Sequence, residues 1–599
     1  MEESNYWSRL NRKRLSRRAV LGAGATIALG ASAAAIVGCG GGNGNGNGGG
    51  NGGTDGTPKP HVYGPPVAGG SITQGRLLNV LGIDPHIDLT GLDIDQRIYS
   101  YLYSWKPFDE TAIFNNFAES VEMPSPDHTE FIFHLRQGVK IQPQSDNPAK
   151  GEELTSADVK ESFVRRGTAI TAPDKRFPLK ISGASTTGPQ HEAGLRAALQ
   201  TPDPYTFSFK MTKPHVPAFR EMSNPTWAIV PAKVIDQYGT FQANGLGQKA
   251  WGSGPYMLSE FRGTERIILT RHPEYFLNPR PWLEEIRYII ITEPQSLLAA
   301  FDSGQHDING ALMNRAQGEE RMKDPDLVVV KAPTRFYPVI HFKTHPSQPF
   351  SDIRVREAID IGIDRDEIVD LIWDGEGNYN GPVQWLQARF SLPQDELRTA
   401  QPFDPQRARQ LLSAAGYEEG FEAKMKIPRV PGAPLIADLS SLIKDQLAKV
   451  GINILLDEVE LGTFIANVIL PGNFDLAFFP NLPYDEPDRP LSFYHSKGVT
   501  GSGNWTNYTN PELDKLIDAQ SEEFDEVKRI DLVQRAQRMI LPEHGPQITL
   551  TGGIWYFAYW NHVHFGAGGA EGSFGGSLQE PDPGAEYGPY GTEIWTEKA

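Results

Sequence analysis

Phe131-Ile132-Phe133-His134-Leu135-Arg136-Gln137-Gly138-Val139-Lys140-Ile141, followed shortly by Leu154-Thr155-Ser156-Ala157-Asp158-Val159, holds both kinds of regular structure in one short span. Apolar and mixed residues alternate from Phe131 to Leu135, the pattern of a strand with one buried face. Arg136-Gln137-Gly138 reads as a turn into Val139-Lys140-Ile141, which predicts a hairpin. Thr155 with Asp158 three residues on is a capping box, opening a helix whose Val159 and Phe163 share a face. A strand signal beside a capped helix points to a mixed α/β protein.

The same grammar extends outward. Tyr205, Phe207, Phe209 and Met211 alternate behind the turn Pro202-Asp203-Pro204, and Trp251 to Tyr256 is a tight turn leading into Ile267-Ile268-Leu269. Ile286 to Ile291 reads as a fully buried strand, and Pro294 to Ser303 as a short helix stopped by Gly304. Further on, Asp352 starts a helix bearing Val355, Ile359 and Gly362, and Asp364 with Glu367 caps the next, which ends near Gly375. Asp404-Pro405 is an N-cap and first-turn pair before Ala408, Leu411, Leu412 and Ala415, with Gly416 as the stop. A helix with Leu439, Leu442, Ile443, Leu447 and Val450 hands over at Gly451 to the strand Ile452 to Leu456, and Asn510-Pro511 opens a helix with Leu513, Leu516 and Ile517. No fixed repeat period appears, and 599 residues exceed what one core supports, so at least two lobes are expected.

The N-terminal end reads as an address. Arg12-Lys13-Arg14-Leu15-Ser16-Arg17-Arg18 precedes a stretch from Ala19 to Val37 without charge, then Gly38 and Cys39, the one cysteine of the chain. A basic region, a weakly apolar segment and small residues make an export signal. Arg17-Arg18 after Ser16 resembles the twin-arginine type, read by a receptor. Ile36-Val37-Gly38-Cys39 resembles a bacterial lipoprotein cleavage box, with Cys39 as the acylated residue; an uncleaved membrane helix is the alternative. Gly40 to Gly56, nearly all Gly and Asn, followed by Pro58, Pro60, Pro65 and Pro66, cannot bury a core and reads as a flexible tether.

Residues 1–38 carry six basic and two acidic side chains, so their removal takes the net charge from −18 to −22. An acidic body argues against general nucleic-acid binding and against docking on a membrane through a basic face. With no second cysteine, disulfides are excluded within the chain.

Taken in order, several segments resemble the peptide/nickel class (family 5) of extracytoplasmic solute-binding proteins that serve ABC importers. They are Leu81-Gly82-Ile83-Asp84-Pro85-His86; Phe133 to Lys140 with Leu154 to Val159; Gly252 to Tyr256; Phe350 to Ala358; Phe403-Asp404-Pro405 through Tyr417; and Tyr508 to Asp514. The resemblance covers about residues 69 to 565. It implies a two-lobed α/β fold like that of the periplasmic binding proteins (type II, large cluster, with an extra small domain), with solute in the cleft and a hinge that closes over it. On this analogy lobe I takes 69–103, 227–333 and 554–599, the small domain 104–226, and lobe II 334–553, after a signal at 1–38 and a tether at 39–68.

The resemblance also supplies the candidate ligand residues. Asp88, Leu89 and Thr90 follow the Asp-Pro-His element where family members offer main-chain contacts. Glu486-Pro487-Asp488 resembles the Asp-Pro-Asp element behind the family's amine-binding aspartate, with Tyr484 at the family's tyrosine and Asn481 and Leu482 just upstream. Pro483 then stands where the aspartate should be, unless a shift recruits Asp485. Leu476-Ala477-Phe478-Phe479 is apolar where some members carry an arginine for the peptide carboxylate. Loss of both anchors would disfavour short zwitterionic peptides and turn the cleft toward an uncharged, aromatic-contacting or carbohydrate-like solute. Trp385, Tyr484, Trp505 and Trp555, in loops or near lobe crossings, are the aromatics expected near it.

His562 and His564 lie on one side of an expected strand but lack a nearby acidic or thiol partner, so no metal is assigned. His86 is expected to cap its turn. No nucleophile elbow, metalloprotease helix, phosphate loop or cysteine nucleophile is present. The expected role is therefore binding without a cofactor. A monomeric receptor is held outside the cytoplasmic membrane by its lipid and partnered by a peptide or other small solute and by the transmembrane subunits of an ABC permease. A secreted hydrolase acting on glycans or peptides through a carboxylate pair is the alternative.

Overall fold

The computed structural model describes residues 66–88, 90–106, 111–113, 116–169, 178, 180–184, 188–239, 246–334, 336–344, 349–430, 435–469, 471–481, 486–497, 506, 508–564 and 594–597. The signal, Cys39, Arg17 and Arg18 lie outside these residues, as do Leu89, Leu482, Tyr484 and Trp505.

Strand β1 (Ser71–Arg76) waits for a partner far along the chain. Before it arrives, β2 (Ala118–Glu122), β3 (Glu130–Leu135), β4 (Gln200–Asp203) and β5 (Thr206–Lys210) form an antiparallel sheet in the order β2-β3-β5-β4. The predicted hairpin after Leu135 is not formed. β3 pairs with β2 and β5, while Lys140 bridges Glu153. Alternation put Phe131, Phe133, Phe207 and Phe209 on one face, and the rings stack across the pair, as with Phe131 and Phe209 at 5.1 Å. The helix Ser156–Thr168 covers them with Phe163, opened by the expected cap, in which Asp158 Oδ2 accepts from the Thr155 amide and hydroxyl.

β6 (Tyr256–Arg262), β7 (Arg266–Arg271) and β8 (Glu285–Ile290) make an antiparallel meander, and β8 then pairs in parallel with β1. β8 alternates in burial, with Ile286 and Tyr288 inside and Arg287 exposed, so it is not the fully buried strand its apolar run suggested. The helix Pro294–Asp302 follows, ended by Ser303 and Gly304, whose φ of 75° suits glycine.

Further along come β9 (Leu327–Pro333), β10 (Tyr337–Phe342), β11 (Gly377–Tyr379), β12 (Phe421–Arg429), β13 (Ile452–Glu460), β14 (Leu476–Asn481), β15 (Gln547–Thr549) and β16 (Thr551–Trp560); two short two-stranded pairs, Ser104–Lys106 with Thr111–Ile113 and Val563–His564 with Trp595–Thr596, stand apart. Five form a mixed sheet, β13-β12-β14-β10-β15, in which β12 runs parallel to both neighbours and the helix Leu435–Ala448 makes the crossover from β12 to β13. Its main core holds Ile340, Val355, Ile359, Leu412, Met425, Ile443, Ile454 and Phe478. The predicted helices Ile353–Gly362, Arg365–Ile372, Pro405–Ala414 and Pro511–Glu522 all form with the expected Asp or Asn caps. Among the described residues, no helix is long and apolar enough to cross a membrane.

β9, β16 and β11 form an antiparallel ribbon that joins these parts. Its outer half, Leu327–Pro333 against Ile554–Trp560, touches the sheet of β1, β8, β7 and β6 through Ile308, which bridges both Gln74 and Tyr559. Its inner half, Thr551 to Gly553, pairs with β11. β9 leads into β10 after three residues, and β15 leads into β16 after Leu550 alone, so both passages to the five-stranded sheet lie side by side. The Thr334 amide donates to Gly553 O at 2.7 Å, and the Leu550 amide to Pro338 O at 3.1 Å, tying them together.

Candidate binding site

The loop after β1 is set by two buried arginines. Arg76, fully buried, donates Nη1 to Asp93 Oδ2 (2.6 Å), Nη2 to Thr90 O (2.6 Å) and Nε to Leu78 O (3.2 Å). Asp88 closes a local turn, accepting from the Thr90 amide (2.7 Å) and hydroxyl (2.6 Å), while the Leu81 amide donates to Thr90 Oγ1. Burial pushes the Asp88 carboxyl up, against the pull of these Thr90 bonds. Asp88 and Thr90 are therefore spent on holding the loop, and so are their amides and the Thr90 carbonyl, since the Asp88 amide donates to Asp84 O (2.9 Å).

One turn earlier, Asp84 accepts two bonds from Arg165, at 2.8 and 2.5 Å, with both side chains almost wholly buried. Arg165 Nη1 also donates to His86 Nδ1 (2.8 Å), so the ring carries its proton on Nε2 and donates to Ala228 O (3.0 Å). Burial, followed by the Arg165 charge, lowers the His86 pKa to about 3. The Asp-Pro-His element thus staples the loop to the helix Ser156–Thr168 and to residue 228, and His86 is a bridge between elements instead of the expected turn cap. Next to it, Asp95 is fully buried with no hydrogen-bond partner on either oxygen among the described residues. Burial first, then the carboxylates of Asp88, Asp84 and Asp93, raise its pKa well above the ordinary range.

Two tryptophans meet at the inner end of the ribbon. Trp373 donates Nε1 to Thr551 Oγ1 (3.0 Å) and lies flush on Gly553, so that a Cβ there would enter its ring. Trp555, on β16, stands edge-on to Trp373 at 5.8 Å and packs on the core of the five-stranded sheet. It lies on the ribbon and is only partly buried, so its ring serves at least in part as core. Trp385 lies over Gly552 with its amide donating to Asn380 Oδ1 (3.2 Å). Asn481 ends β14, paired with Tyr337. The structure therefore brings Trp385 and Trp555 to one ribbon, and Asp88 and Thr90 to one loop.

The stretch Leu476 to Phe479 is buried strand, with Leu476 and Phe478 in the main core and Phe479 stacked on His341 at 4.2 Å. His562 and His564 do not act together. His562 Nε2 meets Asp307 Oδ1 at 2.8 Å, while His564 lies against Trp595 and meets Glu597 at 3.2 Å. Each has the acidic partner that sequence proximity did not show.

Two groupings were invisible in the sequence. His215, Glu221 and Asp488 place ligand-type atoms within 4.8 Å of one another. Lys180 Nζ stands 2.8 Å from His215 Nδ1, so an ammonium already fills the place of a cation, and burial, then Lys180, lowers the His215 pKa. Lys343, Lys424 and Lys426 line a cavity of about 380 Å³ with Phe474 and Asp475, which contains none of the predicted ligand residues.

Among curated proteins, the di/tripeptide-binding protein 1 of Pseudomonas aeruginosa is 25% identical over 481 residues, 78% of this chain and 86% of that protein. The Helicobacter pylori ABC transporter-associated periplasmic binding protein DppA, solved with the peptide STSA, superposes with a TM-score of 0.72 at 20% identity, covering 89% of this chain and 99% of the other. The A. tumefaciens R10 binding protein AgaA, solved with agropinic acid, gives 0.70 at 22% identity, with 88% and 99% covered. These likenesses identify the two-lobed α/β architecture. Residues 112–504 match the middle region of a known family, and with that match over most of the folded body the chain belongs to the bacterial extracellular solute-binding proteins, family 5.

Proposed function

We propose that this protein is a lipid-anchored receptor on the outer face of the cytoplasmic membrane. It captures an oligopeptide-like, or other uncharged or oligosaccharide, solute as a monomer, closes over it, and presents the closed form to the transmembrane subunits of an ABC importer. Export through the twin-arginine signal at Arg17-Arg18 and acylation at Cys39 would set its location, with residues 40–68 as the tether. Lobe I would take 69–103, 227–333 and 554–599, the small domain 104–226, and lobe II 334–553.

The observation that carries this reading is the family match across residues 112–504. The ribbon supports it physically. Two adjacent strand passages make a narrow connection that can bend without breaking either core, and solute touching both lobes then stabilises the closed state by its differential affinity. The peptide-binding relatives support the solute class. The absence of a lysine or arginine from Leu476 to Phe479 supports a ligand held without a carboxylate anchor there.

Thermal-shift screening of residues 58–599 against peptides, oligosaccharides and metal chelates tests the reading. A ligand at 100 times its Kd adds about 2.7 kcal/mol. A hit class that also shrinks the radius of gyration in solution scattering supports capture by closure. Hits that leave the dimensions unchanged overturn the closure step, and product formation from a glycan or peptide would replace binding by hydrolysis.

A further inference from the structure

We infer that the cavity lined by Lys343, Lys424 and Lys426 is a binding site for a multiply charged phosphate, sharing no residue with the candidate solute site. Strand pairing builds its walls. Met425 on β12 belongs to the main core, so Lys424 and Lys426, one place to either side of it, lie on the opposite face of the five-stranded sheet. β12 pairs with β14 only at Met425 with Leu476 and Lys426 with Ala477, so the ladder stops where β14 begins, and the cavity opens between β12 and the incoming turn Gly472 to Asp475. On the other side of β14, Lys343 follows β10 directly. Its amide donates to Asp475 O (2.9 Å) and its Nζ to Gly472 O (3.0 Å). Both neighbours of β14 thus send lysines to one cavity of about 380 Å³, a size within the range of roughly 300–1,000 Å³ that small-molecule sites occupy.

The chemistry of the walls selects the ligand. Three ammonium groups share the cavity with one lining carboxylate, Asp475, in a chain whose net charge is −18. Lys424 has a long, exposed pairing with Asp457 at 3.9 Å, which contributes little in water. Lys426 is half-buried and makes no hydrogen bond or ion pair among the described residues. Lys343 is also half-buried, and burial lowers its pKa against the pull of Asp475. An anion in the cavity offsets the repulsion among these groups and gives Lys426 a partner. Lysine is a compact point charge that suits a tetrahedral phosphate, whereas a flat carboxylate is best met by the guanidinium fork, and no arginine lines the cavity. Phe474, the one aromatic on the wall, is spent on a small core with Phe464 and Val468, which leaves a polar lining.

The test is calorimetric titration of the full chain at low ionic strength, where screening is weakest. Inorganic pyrophosphate reports a free phosphate, and glycerophosphoglycerol, the soluble headgroup of phosphatidylglycerol, reports a lipid. One of the two is expected to bind at one site per chain with a Kd of about 1 mM or tighter. Lys424→Gln/Lys426→Gln should weaken that binding by about tenfold or more through the loss of charge-assisted bonds. Lys515→Gln/Lys528→Gln makes the same change in net charge at side chains 71% and 70% exposed outside the cavity, and should leave Kd within about twofold of wild type. Lys426→Gln alone, expected to cost about fivefold, carries the same test where the first double variant fails to fold. The site is overturned if wild type shows no saturable binding of either probe by about 10 mM, if the cavity variants leave Kd unchanged, or if both double variants weaken it equally. Tighter binding of citrate than of either phosphate overturns the phosphate assignment. The receptor reading stands in each case, since no lining residue is among the proposed solute contacts.

Discussion

Removing one half of the Asp84–Arg165 pair should cost far more than removing both. The two side chains are 3% and 4% exposed, and their bonds at 2.8 and 2.5 Å are the two-pronged kind that planar guanidinium makes with carboxylate. Asp84→Asn keeps the shape and the acceptor for the His86 amide but leaves a buried guanidinium uncompensated. Arg165→Met leaves a buried carboxylate and takes the donor from His86. Breaking such a pair from either side costs about 3–5 kcal/mol, whereas replacing both charges is often near neutral. With an unfolding entropy of ~2.1 cal/mol/K per residue, a body of roughly 500 residues that melts in one step loses about 3–5 °C per single variant. Calorimetry on the two singles and the double closes the cycle, and the double should cost far less than either single, lying within about 1–2 kcal/mol of wild type. Additive losses, or a single that costs under about 1 kcal/mol, would refute the view that this pair staples the loop bearing Asp88 and Thr90.

Other expectations are simpler to state. His341 is fully buried and burial lowers its pKa to about 3 from an unfolded 6.5, so its contribution is whole above pH 6.5 and drains away as pH falls toward 3. Between pH 7 and 5 the wild type should therefore lose about 2 kcal/mol that His341→Phe does not, read as the difference between their denaturation curves; parallel curves would count against a neutral His341. Gly553→Ala should destabilise by about 1–3 kcal/mol through collision with the Trp373 ring, with recovery in the double variant Gly553→Ala/Trp373→Leu. Cys39→Ala should move the protein from the membrane to the soluble fraction of an exporting bacterial host, and a protein still sedimenting with membranes would favour an uncleaved helix.

Local signals were read correctly where the decision is local. The caps at Asp352, Asp364, Asp404 and Asn510, and the Phe131/Phe207 alternation, depend on neighbours within a few residues, and each formed as read. The hairpin after Leu135 failed because a period-2 pattern identifies a strand without choosing its partner; β3 found β5, some 70 residues on. The bridging role of His86 is hidden for the same reason, since its partners Arg165 and Ala228 are remote. The candidate site was half legible. Trp385 and Trp555 stand out as large side chains near crossings, but Asn380 gives no signal at all. Its buried place beside Trp385 is set by four bonds, with residues 385, 401, 549 and 550.

On the proposed division, the contacts that join the small domain to lobe II would be too weak to hold a closed form shut without solute. The Val216 amide donates to Ser521 O (2.8 Å), Lys213 meets Glu522 (2.9 Å), and the ring of His128 lies 4.7 Å from that of Phe524. The ion pair is 69% and 36% exposed, worth about 0–1 kcal/mol, and the hydrogen bond adds about 0.5–1.5 kcal/mol. The partly buried Lys180, His215, Glu221 and Asp488 group adds little net, because the desolvation of its charges offsets their attraction. Swinging an equilibrium from 1:99 to 99:1 takes about 5.5 kcal/mol, well above this sum. Such a seam would not hold a closed form shut, so contacts from solute to both lobes would have to supply the difference. That is the condition under which a permease could tell a loaded receptor from an empty one.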